Sequence, residues 1–148
     1  MKLLTQTNST LTSISLLLLR CTLGIILFMV GAGKVFGWFG GYGLGPTIHA
    51  FVTMMHIPAP LAYLSTFTEL IGGALLIVGL LTRPAALAVF INMAVATVIM
   101  WPKGFIGSGV GAAWPFSLMI SALAILLSGP MAYSIDSLLA RRVQPTMR

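Results

Sequence analysis

The chain reads as an all-α integral membrane protein: a four-helix bundle with a short interfacial helix in its first outer loop and a C-terminal cytoplasmic amphipathic helix. Composition is the first observation behind this. Of its 148 residues, 58% are hydrophobic and only 7% charged, whereas a soluble domain carries roughly a quarter charged residues as its polar shell. The second is that the apolar residues gather into four runs that meet or approach the ~20 residues needed to cross a hydrocarbon layer. The third is that Cys21 is the single cysteine, which excludes an intrachain disulfide and any multi-cysteine metal or iron–sulfur centre. A cytosolic enzyme, a secreted disulfide scaffold and a disordered segment are all excluded. The length suits one membrane domain, residues 1–148.

The first span is expected at about Ile14–Phe36. It is too long for a signal peptide, Arg20 interrupts it, and Gly31-Ala32-Gly33-Lys34 is a poor cleavage site, so it is retained. The second runs over about Pro60–Leu81 and the third over about Pro84–Trp101, joined by the tight turn Leu81-Thr82-Arg83-Pro84. The fourth is about Trp114–Gly129, ended by Gly129-Pro130. Pro60, Pro84 and Pro115 each fall in a first turn, where a missing N–H matters least. Between the first two spans, Gly45-Pro46 opens a short helix, Thr47–Met55, with Ile48, Phe51, Val52 and Met55 on one face. At the C-terminus, Ser134 can cap a helix with Asp136 in its first turn and Arg141-Arg142 in its last, matching the macrodipole.

Orientation follows the basic residues. Lys2, Arg83, Arg141, Arg142 and Arg148 lie on the N-terminal side, against Lys34 and Lys103 on the other. That asymmetry puts both termini in the cytoplasm of a bacterial inner-membrane protein. Trp38, Trp101 and Trp114 form an aromatic belt at the outer boundary. The net charge of +6 then speaks for anionic lipid headgroups and not for nucleic acid.

Residues at +3/+4 spacing share a helix face, and each span carries one small or polar stripe. These read Arg20, Gly24, Leu27, Gly31, Lys34 in the first and Ser65, Glu69, Gly72, Leu76, Gly79, Arg83 in the second. The third offers Ala85, Ala88, Asn92, Val95 and Ile99, and the fourth Ser117, Ser121, Ala124 and Ser128. Small residues allow close approach and polar ones avoid lipid, so the stripes should face inward together. Arg20 is expected to reach Glu69 there, since a buried carboxylate needs a partner. Two readings stay open: a clamp that registers two helices, or the floor of a polar pocket with Lys34 at its outer mouth. Such a pocket would be walled by Leu27, Gly31, Gly72 and Ser121, with Trp38 and the His49 helix closing over it. Arg20, Lys34, Glu69, Asn92, Ser121, Trp38 and His49 are the ligand-binding candidates.

Several motifs carry no chemistry. The glycine-rich runs lack the strand–turn–helix setting of a nucleotide site. His49 and His56, seven residues apart, stand about 10 Å apart along a helix, too far to chelate one ion. No span holds a histidine for haem, and no metal is expected.

Taken together, the residues resemble the DoxX family of small bacterial membrane proteins, from about Leu17 to Leu139. The resemblance rests on Leu-Leu-Arg20, Gly33-Lys34-Val-Phe-Gly37-Trp38-Phe-Gly-Gly41, Pro58-Ala-Pro60 and Glu69-Leu-Ile-Gly-Gly73. It continues through Gly79-Leu-Leu-Thr-Arg83, Pro102-Lys-Gly104-Phe and Gly129-Pro130…Ser134-Ile-Asp136. It implies a four-span bundle associated with respiratory or sulfur redox chemistry. Val30, Met100 and Ala113 stand where many relatives carry histidine or acid, which leaves Arg20, Lys34 and Glu69 as the polar set. The leading expectation is a non-catalytic membrane subunit of a quinone-linked oxidoreductase assembly, binding a quinone or small ligand, with no covalently bound cofactor. The alternatives are a structural or assembly subunit without a ligand site, and a small transporter. Its partners would be the lipid bilayer and either other subunits or further copies of itself.

Overall fold

Among the described residues, three helices are long and apolar enough to cross a membrane, Ser9–Phe36, Ala59–Val78 and Thr82–Lys103, and a shorter apolar helix spans Ala113–Ser128. The structure is a computed structural model that describes residues 9–106, 111–129 and 133–143. Lys2, residues 107–110, Pro130 and Arg148, and the side chains of Arg141, Arg142 and Val143, lie outside the described residues. Every regular element among the described residues is helical: α1 (Ser9–Phe36), α2 (Leu44–Met54), α3 (Ala59–Val78), α4 (Thr82–Met100), α5 (Ala113–Ser128) and α6 (Ile135–Val143). Single 3-10 turns follow α1 and α4, at Trp38–Gly40 and Trp101–Lys103.

The four apolar helices close a ring in which α1 packs on α3, α3 on α4, α4 on α5 and α5 on α1. Their common core includes Leu23 and Leu27 from α1, Leu76 from α3, Val89 and Met93 from α4, and Leu118 and Ile125 from α5. Glycine sets the closest of these contacts. A methyl group on Gly31 would sit 2.5 Å from the Leu70 backbone nitrogen, and one on Gly73 2.5 Å from that of Phe28. No side chain fits there, so α1 and α3 lie backbone against backbone, as small residues permit in membrane helices.

That register overturns the expected Arg20–Glu69 pair. Gly24 faces Gly73 and Ile77, and Gly31 faces Leu70, which sets Glu69 level with the C-terminal part of α1. Arg20 then stands about 18 Å further down, at 1.5 Å rise per residue. An arginine side chain cannot bridge that gap.

Arg20 is instead bound at the α3–α4 turn. Its Nη2 donates to the Tyr133 carbonyl at 2.7 Å. Gly79 ends α3 at a φ of +70°, in the left-handed region, and the Arg20 guanidinium lies directly over it. Glycine is needed here twice, for the dihedral and for the space. Asp136 of α6 completes the arrangement. The backbone N–H groups of Leu81 and Thr82 donate to its Oδ1 and Oδ2, each at 2.8 Å, while its own N–H donates to the Gly79 carbonyl at 3.1 Å. Read in sequence as the first-turn charge of its own helix, Asp136 serves as the N-terminal cap of α4. Ser134 does cap α6 as expected, accepting from the Ser137 N–H at 3.1 Å.

Burial pushes the Asp136 carboxyl up. The N–H groups of Thr82 and Leu81 and the nearby Arg20 charge outweigh it and hold the group below the usual carboxylate range. A depressed pKa stabilises the fold above the unfolded value and is lost as pH falls through the folded one. The docking of α6 should therefore be intact at neutral pH and loosen only below about pH 3.8, the ordinary aspartate value. Asp136→Ala should cost about 0.5–2 kcal/mol, the usual loss of a helix cap. Limited proteolysis at neutral pH checks this: the variant should be cut around α6 well before the parent.

The inward stripes hold for α1 and α3 but not for the other two helices. On α4 the buried face is Thr82, Ala85, Ala86, Val89, Met93 and Thr97, so of the expected stripe Ala85 is buried, while Ala88 and Val95 are exposed and Asn92 half-exposed. On α5 it is Pro115, Leu118, Ala122 and Ile125. The serines of α5 turn away because each satisfies itself on its own helix. Ser121 donates to the Ser117 carbonyl at 2.8 Å and Ser128 to that of Ala124 at 2.7 Å. A hydroxyl bonded back in this way no longer demands a polar surrounding.

Candidate functional site

The glycines that follow Lys34 shape the end of the bundle where α1 gives way to α2. The N–H groups of Gly37 and Gly43 both donate to the Gly33 carbonyl, at 3.1 and 3.2 Å, and Gly41 lies directly against Gly33. The loop therefore folds back on the end of α1, and α2 is carried across the bundle onto α1 and α3. The short outer-loop helix expected from Gly45-Pro46 is present, starting three residues earlier, at Leu44.

Beneath it Lys34 meets Glu69. The Lys34 ammonium lies 2.6 Å from Oε2 and 2.8 Å from Oε1 of the carboxylate. The carboxylate side chain is 7% exposed and the lysine 24%, so the acid is enclosed and the base reaches outward. Phe51 of α2 places its ring 5.2 Å from the ammonium, a cation–π contact that ties α2 to the pair. The Asn92 side chain of α4 is the third polar group lining the same cavity.

These three groups line a cavity of about 590 Å³ between α3 and α4, on the side of the bundle that carries α2, with Phe51 and Met55 also in its wall. Its other walls are apolar or small, among them Leu61, Leu64, Ala88, Ile91, Val95 and Ala96. An apolar chamber of this size with a few convergent polar groups is the usual form of a small-molecule site. One fixed donor, one acceptor and one amide that can be either suit a neutral ligand bearing hydroxyl or carbonyl oxygens.

Of the residues expected at a site, Lys34, Glu69 and Asn92 come together here. The other four stand apart from the cavity. Arg20 borders a space of only about 10 Å³ at the opposite end, no more than one water. Ser121 faces away on α5. Trp38 stacks against Phe36, centroids 4.9 Å apart, beside a shallow depression on the outward side of Lys34. His49 is an exposed residue of α2 and does not line the cavity. The predicted walls are corrected likewise: Leu27 and Gly31 lie in the α1 packing surfaces, and Gly72 touches Val89. Ala96 was not foreseen; Ala88, Val95 and Ile99 of the expected α4 stripe, and Phe51 and Met55 of the helix expected to close over the pocket, do line the cavity but were not named as site residues. For the two alanines a signal existed, since with Asn92 they form an i, i+4, i+8 row. That row faces the cavity, not the core.

The family model of DoxX matches residues 15–102. The matched stretch contains α2, α3 and α4 whole and nearly all of α1, so Lys34, Glu69 and Asn92 all fall inside it. Comparison with curated proteins and with solved structures finds no match. With a family match covering more than half its length and several helices fit to cross a membrane, the chain belongs to the DoxX family of membrane proteins.

Proposed function

We propose that this protein is a four-span, non-catalytic subunit of a redox assembly in the bacterial inner membrane, and that it binds a quinone in the α3–α4 cavity. The observation that supports this best is the placing of Lys34, Glu69 and Asn92 on the wall of a mainly apolar chamber of about 590 Å³, to which Ser65 and Thr68 add two hydroxyls. The lysine donates to a quinone carbonyl, the carboxylate accepts from a quinol hydroxyl, and the asparagine serves either form. Titrating the purified protein in detergent with a short benzoquinone, followed by calorimetry, tests it. Saturable binding that Asn92→Leu weakens about tenfold is expected; no saturable binding would defeat it.

The assembly-subunit reading keeps one observation of its own. Lys34 and Glu69 satisfy each other, as a purely structural pair would. The same titration separates the two.

The topology that goes with this reading places both termini and Arg83 in the cytoplasm. In a Cys21→Ser background, a cysteine at Tyr42 or Lys103 should react with an impermeant thiol reagent added outside intact cells. A cysteine at Arg83 should react only after the membrane is opened. The reverse pattern would invert the topology.

A further inference from the structure

Two arginines at the α3–α4 turn have no acid to pair with. The chain carries only two acidic side chains, Glu69 and Asp136. Glu69 is held by Lys34. Asp136 accepts from the Leu81 and Thr82 N–H groups, and among the described residues no ion pair joins it to either arginine. Arg20 is 5% exposed, and its Nη2 donates to the Tyr133 carbonyl. Its Nε is buried and meets no acceptor, a costly state for a charged donor. Arg83 is exposed, and its guanidinium has no partner among the described residues.

The two guanidiniums converge on one place. Arg20 lines a recess of about 10 Å³ between α1 and α5, together with Ser13, Ser128, Gly129 and Tyr133. Arg83 stands at its edge: a Cβ on Gly129 would lie 2.9 Å from both Nε and Nη2. Ser128 and Tyr133 are exposed, so the recess opens outward. α3 ends at Val78, α4 begins at Thr82 and α5 ends at Ser128, so the apolar runs stop together at this height. Leu18 and Leu127 beside it are exposed apolar residues. Such a level is the boundary between hydrocarbon and headgroups.

We propose that this recess binds the phosphate group of an anionic phospholipid. One phosphate oxygen enters it and accepts from Arg20 Nε, and the rest of the group stays at the mouth beside Arg83. The volume admits a single oxygen and no more. An oxyanion supplies both what the chain lacks, a counter-charge for two guanidiniums, and an acceptor for the buried N–H. Basic pockets between membrane helices hold lipid phosphates in this way. Ser13 and Ser128 now donate to the Ser9 and Ala124 carbonyls, and either hydroxyl can rotate to face the incoming oxygen.

The test adds phosphatidylglycerol, or phosphatidylcholine with the same chains, to the delipidated full chain in neutral detergent and counts bound lipid by native mass spectrometry. Saturable binding of phosphatidylglycerol is expected, about fivefold tighter than phosphatidylcholine, whose choline brings a positive charge toward Arg83. Arg83→Gln should weaken it by about fivefold, the share of one basic residue near a lipid phosphate. Lys103→Gln removes the same charge beyond the other end of α4 and should change nothing. Ser13→Leu fills the recess without removing a charge and should weaken binding as well, while it and Arg83→Gln melt with the parent in the absence of lipid. Displacement of the lipid by millimolar inorganic phosphate would uphold the phosphate site and overturn the lipid as its source. Equal binding of the two lipids, or equal losses from Arg83→Gln and Lys103→Gln, would overturn the site. So would the absence of saturable binding, the recess then suiting water alone.

Discussion

Gly31→Leu should unfold the bundle, where the same change at a cavity wall would only exclude a ligand. The added Cβ falls 2.5 Å from the Leu70 nitrogen and 2.7 Å from its Cα. These are backbone atoms in the middle of a helix, and they can yield only if α1 and α3 move apart. Overpacking of a core costs about 1–3 kcal/mol where side chains can adjust; here they cannot, and the loss should reach or exceed the top of that range. Two other glycines grade the effect. A Cβ on Gly72 would meet only the end of the Val89 side chain, at 3.0 Å, so Gly72→Ala should be mild. One on Gly45 meets nothing within 4 Å, and because alanine favours a helix by roughly 0.5–1 kcal/mol, Gly45→Ala should be neutral or slightly stabilising. Thermal unfolding in one detergent checks the order. If Gly31→Leu melts with the parent, the α1–α3 register described here is wrong.

That register separates what the sequence discloses from what it conceals. The positions of the apolar helices and of the short helix between the first two follow from hydropathy and from Pro58, Pro60 and Pro84, because those signals are local. The inward stripes of α1 and α3 were legible too, since glycine and charge both shun lipid. Pairing was not. Arg20, Lys34 and Glu69 all lie on the right faces, and which two meet depends on a slide along the helix axes that spacing does not encode. The glycine contacts encode it, but only once the facing helix is known. Serines misled for another reason: those on α5 bond to their own carbonyls, so polarity there says nothing of an interior. Asp136 was hidden by distance in sequence, since its acceptor role is exercised across more than fifty residues, at Leu81 and Thr82.

A double-mutant cycle should locate the buried pair by its coupling energy. Lys34→Met leaves Glu69, 7% exposed, without its counter-charge, and stranding a buried ion in this way typically costs 3–5 kcal/mol, so about that much is expected. Glu69→Met should cost less. Lys34 is 24% exposed and borders the shallow outer depression, so its long stem can carry the ammonium toward water. The double variant should recover most of the loss, because well-packed apolar residues can replace a buried ion pair at little penalty, often about neutrally. Arg20 supplies the contrast. It lies about 18 Å along α1 from the level of Glu69, held by the Tyr133 carbonyl, so Arg20→Ala and Glu69→Met should add to within about 0.5 kcal/mol, as distant sites do. Unfolding free energies for the single and double variants, measured in one detergent, decide it. Strong coupling between Arg20 and Glu69, with additivity between Lys34 and Glu69, would restore the pairing first expected from spacing and remove the polar wall from the cavity.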